Sequence, residues 1–278
     1  GDRNTALGTN ALTAQNFTTT TDSYNVGVGF SAGASVTTGV QNTLIGGLAG
    51  DALSTGSSNS VLGYKALSAD TLGSRAVAIG DQALENQNFT SGTDNYNIGI
   101  GYKAGNAITT GVNNTLVGAL AGDALTDADS NIAIGTNALA QDALGSRNIA
   151  IGQGALFTQG FSTATLSLNT AVGYESGVLL TTGTGNTFLG GASGSQITTG
   201  ANNVILGYAA GSHGVNLATG GSNVLVGALS DTTDADVSNA NVIGYNVSGG
   251  GGYTTLGNGA DDIRAAHGNI TWATVSDE

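Results

Sequence analysis

The chain has no cysteine, no proline and no methionine, and only 9% of its 278 residues are charged. Without cysteine, stability cannot rest on disulfides, and a chain lacking both sulfur residues suits life outside a cell. Without proline, and with glycine not falling at every third position, a collagen helix is excluded. Scarce charge with 47 glycines also departs from helical globular chains and from disordered tails, so repetition must order the backbone. Six basic residues against 19 acidic ones leave a net charge of −13, which argues against nucleic acid and anionic lipid as partners. No stretch approaches the roughly 20 apolar residues of a membrane span, so no membrane insertion is expected. No charged start followed by an apolar run marks a secretion signal, so export is signalled elsewhere or follows lysis of a host.

What is present is a phrase, Asn-x-x-aliphatic-Gly. It runs from Asn4 to Gly8, Asn25 to Gly29, Asn42 to Gly46 and Asn59 to Gly63, and onward from Asn97, Asn114, Asn131, Asn148, Asn169, Asn186, Asn203 and Asn223. A variant with Ala76 in place of asparagine closes at Gly80, and degenerate versions close at Gly244 and Gly257, giving about fifteen coils. From Gly8 to Gly244 closing glycines lie 17 residues apart except for regular steps of 21 and one step of 20 from Gly207 to Gly227, so a four-coil unit of 72 residues repeats and Gly8, Gly80 and Gly152 are equivalent. Seventeen residues are too few for the smallest helical repeat of about 33, but they suffice for two strands of about five residues and two turns. The expected class is therefore all-β, a parallel β-solenoid with coils stacked at about 4.8 Å into a rod on the order of 70 Å long. Leu, Ile or Val before the glycine should stack as a ladder. The following Gly-x-x-Ala phrase, as in Gly63 to Ala66, should let a second strand lie close. Asparagine should mark the bend, tolerating a left-handed backbone and forming an amide ladder, in preference to a sugar-binding array.

Phrases such as Asn4-Thr5-Ala6-Leu7-Gly8-Thr9-Asn10-Ala11-Leu12 and Asn148-Ile149-Ala150-Ile151-Gly152 resemble the head repeats of trimeric autotransporter adhesins and, more closely, the related repeats of bacteriophage tail fibres. The resemblance covers residues 1 to 257. It implies a left-handed parallel β-roll, a homotrimeric rod, no catalysis and a role in attachment. The chain departs from the adhesin heads in its 17-residue coil and its regular asparagine. The end of the chain, Trp272 to Glu278, resembles the junction before the intramolecular chaperone of endosialidase-type tail fibres, with Ser276 and Asp277 at the self-cleavage point. Residues 258 to 278 are then a terminal segment leading to that chaperone, with Ile263, Ile270 and Trp272 packing on the last coil or between chains. A cut between Ser276 and Asp277 does not leave Asp277 and Glu278 on the rod, which keeps the cleavage history open. An uncapped solenoid start exposes strand edges, so a preceding domain is expected before Gly1.

Candidate sites are few. Four-residue insertions fall once per 72 residues and carry Phe17, Phe89 and Phe161 at one offset, with Tyr24 and Tyr96 in two of them. Inserted loops on solenoids often bind ligands, although aromatics packing on neighbouring coils is the preferred reading. Arg3, Arg75 and Arg147 recur with the same period and are expected to pair with Asp51, Asp123 or acids of another chain. Asp127, Asp129, Asp231, Asp234 and Asp236 lack the spacing of a calcium loop, so solvated turns are expected and no metal or cofactor is assigned. Neither His213 nor His267 lies in a catalytic phrase, and no active site is assigned.

Segments such as Ile132-Ala133-Ile134 and Ile149-Ala150-Ile151 have no polar face. Strands apolar on both faces are buried on both faces, and one 17-residue coil has no third layer to cover the outer one. These six residues are therefore expected to be covered by other copies of the chain, and the resemblance implies that the assembly is a parallel, in-register homotrimer with them at its core. The function expected is a structural and adhesive fibre segment, extracellular, presenting a tip to an unknown cell-surface receptor such as a glycan. Alternatives are the head of a bacterial trimeric adhesin, a polysaccharide depolymerase, for which acids are too scattered, and an ice-binding solenoid, for which pairs such as Thr37-Thr38 and Thr109-Thr110 recur too seldom.

Overall fold

The computed structural model describes residues 1–215, 217–259, 261–268 and 271–274. Two compact units, Gly1–Leu144 and Gly145–Glu278, make up the chain, and among the described residues there is no helix. Each unit is a parallel β-solenoid with the spacing read from the sequence.

In the first unit the strands Thr5–Leu7, Val26–Val28, Thr43–Ile45, Ser60–Leu62, Val77–Ile79, Ile98–Ile100, Thr115–Val117 and Ile132–Ile134 each pair in parallel with the next. In the second the parallel series is Ile149–Ile151, Thr170–Val172, Thr187–Leu189, Val204–Leu206, Val224–Val226, Asn241–Tyr245 and Tyr253–Asn258. That makes eight coils and seven. The pairing then changes sense: Asp261–Ala266 runs antiparallel to Tyr253–Asn258, and Ala273–Thr274 antiparallel to Asp261–Ala266.

Most coils contribute one strand of three residues rather than two of five; Asn241–Tyr245 and Tyr253–Asn258 are longer, and a few coils add a two-residue strand such as Gly73–Ser74, paired with Thr93–Asp94. The Gly-x-x-Ala phrase is a turn, yet it still bonds to its neighbour, Ser31 N–H donating to Thr9 O at 2.8 Å, and the bonding continues beyond it: Gly33 N–H donates to Ala49 O at 3.0 Å, Ser35 to Asp51 O at 3.0 Å and Thr37 to Ser54 O at 2.9 Å. Coil-to-coil hydrogen bonding therefore continues around the circumference while the backbone bends. The bends require left-handed residues. One is the residue before the asparagine, as at Gln41 and Ser58, both with φ of 60°; the asparagine itself is not left-handed, contrary to the sequence expectation. Another is the closing glycine, near φ 130°, where a Cβ on Gly46 would meet Gly63 O at 2.3 Å. Both the torsion and the stacking distance demand glycine there.

Strand residues alternate about the wall. The middle residue of the three points inward and is buried, and the outer two are half-buried or exposed. A second inward position lies four residues beyond the closing glycine, and in several coils the two positions trade volume. Coils with Ala78 or Gly99 in the strand are filled by Leu84, and a Cβ on Gly99 would meet Leu84 Cγ at 2.8 Å. Coils with Leu44, Leu116 or Phe188 carry Gly50, Gly122 or Gly194 instead, each so close that a Cβ would fall within 2.9 Å of the large side chain. A third inward position holds Val36, Leu53, Ile108, Leu125, Leu180 and Ile197, all fully buried. The core is thus a thin column in which large and small side chains interlock within and between neighbouring coils, a Cβ on Gly105 meeting Leu116 Cδ1 at 2.6 Å and Leu84 Cδ2 at 2.8 Å.

Candidate functional site

The asparagines form an internal scaffold. Asn25, Asn42 and Asn59 are fully buried. The N–H of Asn42 donates to Asn25 Oδ1 at 2.9 Å and that of Asn59 to Asn42 Oδ1 at 3.0 Å, while each Nδ2 donates to a carbonyl on its own coil, Gly39 O at 2.8 Å and Gly56 O at 2.9 Å. The second unit repeats this from Asn169 through Asn186 and Asn203 to Asn223. Since the amides satisfy buried backbone groups, a role for the row in sugar binding has no exposed atoms to work with.

The inserted coils modify that scaffold. Ala76 lacks an amide, and Asn95 supplies the missing acceptor, its Oδ1 receiving Asn97 N–H at 2.9 Å. In the other two inserted coils the opening asparagine is present and a serine replaces Asn95: Ser23 Oγ donates to Asn4 Oδ1 and Ser167 Oγ to Asn148 Oδ1, both at 2.8 Å. A glutamine reaches the row in each, Gln15 accepting from Asn4, Gln87 from Asn97 and Gln159 from Asn169. Gln87 also donates to Asp70 Oδ2 at 2.6 Å, and Gly73 N–H to Asp70 Oδ1 at 2.9 Å. Burial pushes the Asp70 carboxyl above its ordinary range, against the lowering effect of these hydrogen bonds.

Among the proposed binding-loop residues, Phe89 is buried and presents nothing to a ligand. Phe17 and Phe161 are half-buried, and Phe17 packs against Gly1. Tyr24 and Tyr96 are exposed but engaged: Arg3 donates to Tyr24 Oη at 2.7 Å and lies 5.5 Å from its ring centre, and Arg75 lies 5.8 Å from that of Tyr96. The acids these arginines meet are Asp22 at 3.3 Å and Asp94 at 3.0 Å, carried by the insertions, and not Asp51 or Asp123. Asp51 and Asp123 are raised by burial, and the nearest charges opposing that are Lys65 and Lys103. At the third insertion Leu166 and Leu168 replace the acid and the tyrosine beside Arg147, and both leucines are exposed.

Asp231 is buried and accepts backbone N–H groups from His213 at 3.0 Å, Gly214 at 2.8 Å and Thr232 at 2.8 Å, so it closes a turn. Asp127, Asp234 and Asp236 lie in turns and bends at the surface, and Asp129, also exposed, accepts Val112 N–H at 2.8 Å. Ser276, Asp277 and Ile270 lie outside the described residues. Ile263 sits opposite Leu256 in the antiparallel hairpin and remains exposed, as does Trp272, so neither packs into the last coil.

The outer strand face has the most distinctive chemistry. Its third position is aliphatic on every coil: Leu7, Val28, Ile45, Leu62, Ile79, Ile100, Val117 and Ile134 in the first unit, and Ile151, Val172, Leu189, Leu206, Val226, Ile243 and Leu256 in the second. Its first position is Thr, Ser, Val, Ile or Asn. In a chain of net charge −13 no charged residue stands at either position in either unit. Of the six residues expected to meet other copies, Ile132, Ile134, Ile149 and Ile151 lie on this face, whereas Ala133 and Ala150 are fully buried inside their own coils and are corrected to the intramolecular core. The strand alternation that turns the isoleucines outward turns the alanines inward. In comparison with known proteins, the chain matches no family model, no curated protein and no solved structure.

Proposed function

We propose that this chain is a structural segment of an extracellular attachment fibre, such as a virion tail fibre, built as a parallel homotrimer whose strand faces meet at a common axis. The uncharged aliphatic face carries the reading. A half-exposed apolar ladder of this length exceeds the few hundred Å² of patch that soluble monomers usually tolerate, and covering it stabilises an assembly by roughly 25 cal/mol per Å². The occupant is another copy for two reasons. A ladder repeating every coil is matched along its length only by a partner with the same repeat, whereas a globular partner would cover a few coils. Two chains of net charge −13 can also approach closely only where neither carries charge. Three copies, attachment, and a receptor-binding tip outside this chain follow from the resemblance to tail-fibre repeats, with a closed ring about an axis as the symmetric solution. The head of a bacterial surface adhesin shares this geometry and is the second reading.

Light scattering at micromolar concentration tests the assembly: three 27.1 kDa chains are expected, and a monomer would sink the reading. Attachment is tested by competition, in which the purified protein joined to its tip should block adhesion of the parent fibre to its host cells. A protein lacking the tip should not.

A further inference from the structure

The residue just after the closing glycine follows a pattern that the fibre reading does not use. It is aromatic on alternate coils over two stretches, Phe30, Tyr64 and Tyr102 in the first unit and Tyr174, Tyr208 and Tyr245 in the second, with Thr136 interrupting the alternation between them in sequence. Between them stand Gly47 and Asp81, and Gly191 and Ala228. All six rings are exposed, from 50% for Tyr102 to 65% for Tyr208. Where the intervening residue is glycine the ring reaches back over it: a Cβ on Gly47 would lie 3.5 Å from Tyr64 Cδ2, and one on Gly191 3.7 Å from Tyr208 Cδ2. Each such ring is thus supported by its own chain while about half of its surface stays open. Within each unit the rings recur every two coils, a spacing of about 9.6 Å.

We propose that each of these rows is a stacking platform for a neutral, extended β-1,4-linked polysaccharide lying along the coil axis. In such a chain alternate sugars are turned over, so the same ring face recurs every second residue, and two residues span close to two coils. Sugar rings offer flat C–H faces edged by hydroxyls, which suits tyrosine better than an all-hydrocarbon surface does, and five of the six rings are tyrosines. Polar groups stand beside them: Lys65 Nζ lies 5.8 Å from the Tyr64 ring centre, Lys103 Nζ 5.5 Å from that of Tyr102, and Tyr174 Oη donates to Glu175 at 2.6 Å. Charge selects the class. Single-stranded nucleic acid also stacks on spaced aromatics, but it needs a basic groove, and a chain of net charge −13 repels that polymer and acidic glycans while leaving a neutral one unopposed. The rows lie around the glycine corner from the strand face, so the proposal stands on each chain's own surface and does not depend on the number of copies.

Native gels containing hydroxyethyl cellulose, glucomannan or glycol chitin test this, with the α-linked polymer dextran as control. At least one of the three should retard the protein and dextran should not. The variant Tyr64→Ala/Tyr102→Ala/Tyr174→Ala/Tyr208→Ala removes four rings that lie on the surface, each at least half exposed. It should keep the far-ultraviolet spectrum and the oligomeric mass while losing at least tenfold in affinity. Absence of retardation in all three gels overturns the proposal, as does equal retardation of the variant. A changed mass for the variant would make the rows a contact between copies and overturn it equally. A wild-type protein that is monomeric yet retarded would leave this proposal intact and refute the trimer.

Discussion

The coil opened by Asn42 and the coil opened by Ala76 solve the same problem with different residues. In the plain coil one buried asparagine accepts from the next coil and donates to its own. In the inserted coil the opening residue has no amide, and the acceptor comes from Asn95 on the insertion, with Gln87 and Asp70 completing a buried polar chain. The equivalent coils keep asparagine at the opening and serine at the second position, so Ala76 and Asn95 are one paired exchange. The comparison teaches that what must be preserved is a satisfied buried N–H on each coil, not the residue that satisfies it.

The largest effect should come from the feature both coils share. Gly63→Val places a side chain against Gly80 O, where even a Cβ would lie at 2.2 Å, in a torsion that only glycine adopts readily. A loss of more than about 4 kcal/mol is expected, seen as insoluble protein or a collapsed thermal transition. Gly92→Ala, in the insertion with no atom within 4 Å of the added carbon, should leave the transition in place.

Next comes the amide row. Asn114→Ala in a plain coil strands Asn131 N–H and Ala128 O and should cost about 2–4 kcal/mol by denaturant unfolding. Asn95→Ser strands Asn97 N–H and should cost about 1–3 kcal/mol, whereas Ala76→Asn/Asn95→Ser recreates the pairing of the other inserted coils and should recover most of it. A double variant no better than Asn95→Ser alone would break the idea of a paired exchange.

A smaller effect should follow pH. The folded state raises the Asp70 pKa, so it binds the proton more tightly than the unfolded chain does. Stability from this group is therefore present below the unfolded carboxylate pKa and is lost as pH rises through the folded value. Relative to Asp70→Asn, the wild type should be most favoured at acid pH and lose ground toward neutrality; a gap independent of pH contradicts the shift. The smallest effects concern the surface clusters: Arg75→Ala should cost at most about 1 kcal/mol, and Arg147→Ala, facing leucines where Arg75 faces Asp94 and Tyr96, less still.

The period, the single-coil stacking, the aliphatic ladder and the amide row were legible because each is written at a fixed spacing. The exchange of volume between Leu44 and Gly50 and between Ala78 and Leu84 was equally periodic but went unread, because nothing in the sequence says that both positions point into one column. The left-handed residue before each asparagine was hidden for another reason: Gln41, Ser58 and Arg75 share no side-chain chemistry, and hydrogen bonding from both sides holds the backbone there. The strands are shorter than the sequence pattern implies because turns that keep bonding to the next coil carry the same small and apolar residues as strands. The arginine partners were misassigned because the insertion that brings Asp22 and Asp94 alongside is visible only once it is folded. The aromatic rows stand in the sequence at two-coil spacing, interrupted at Thr136, and only the structure shows that this corner faces outward.

The claim that other copies cover the strand face has a direct test, because the chain contains no cysteine of its own. Thr115→Cys places one thiol at the first position of that face, and Ile98→Cys places one on the coil before it. A parallel, in-register trimer predicts that a short bis-thiol reagent joins Thr115→Cys chains to one another at nanomolar protein concentration. Mixed assemblies should give no Thr115→Cys to Ile98→Cys product beyond background. Failure of Thr115→Cys to cross-link at any concentration, with the fold intact, would contradict the account.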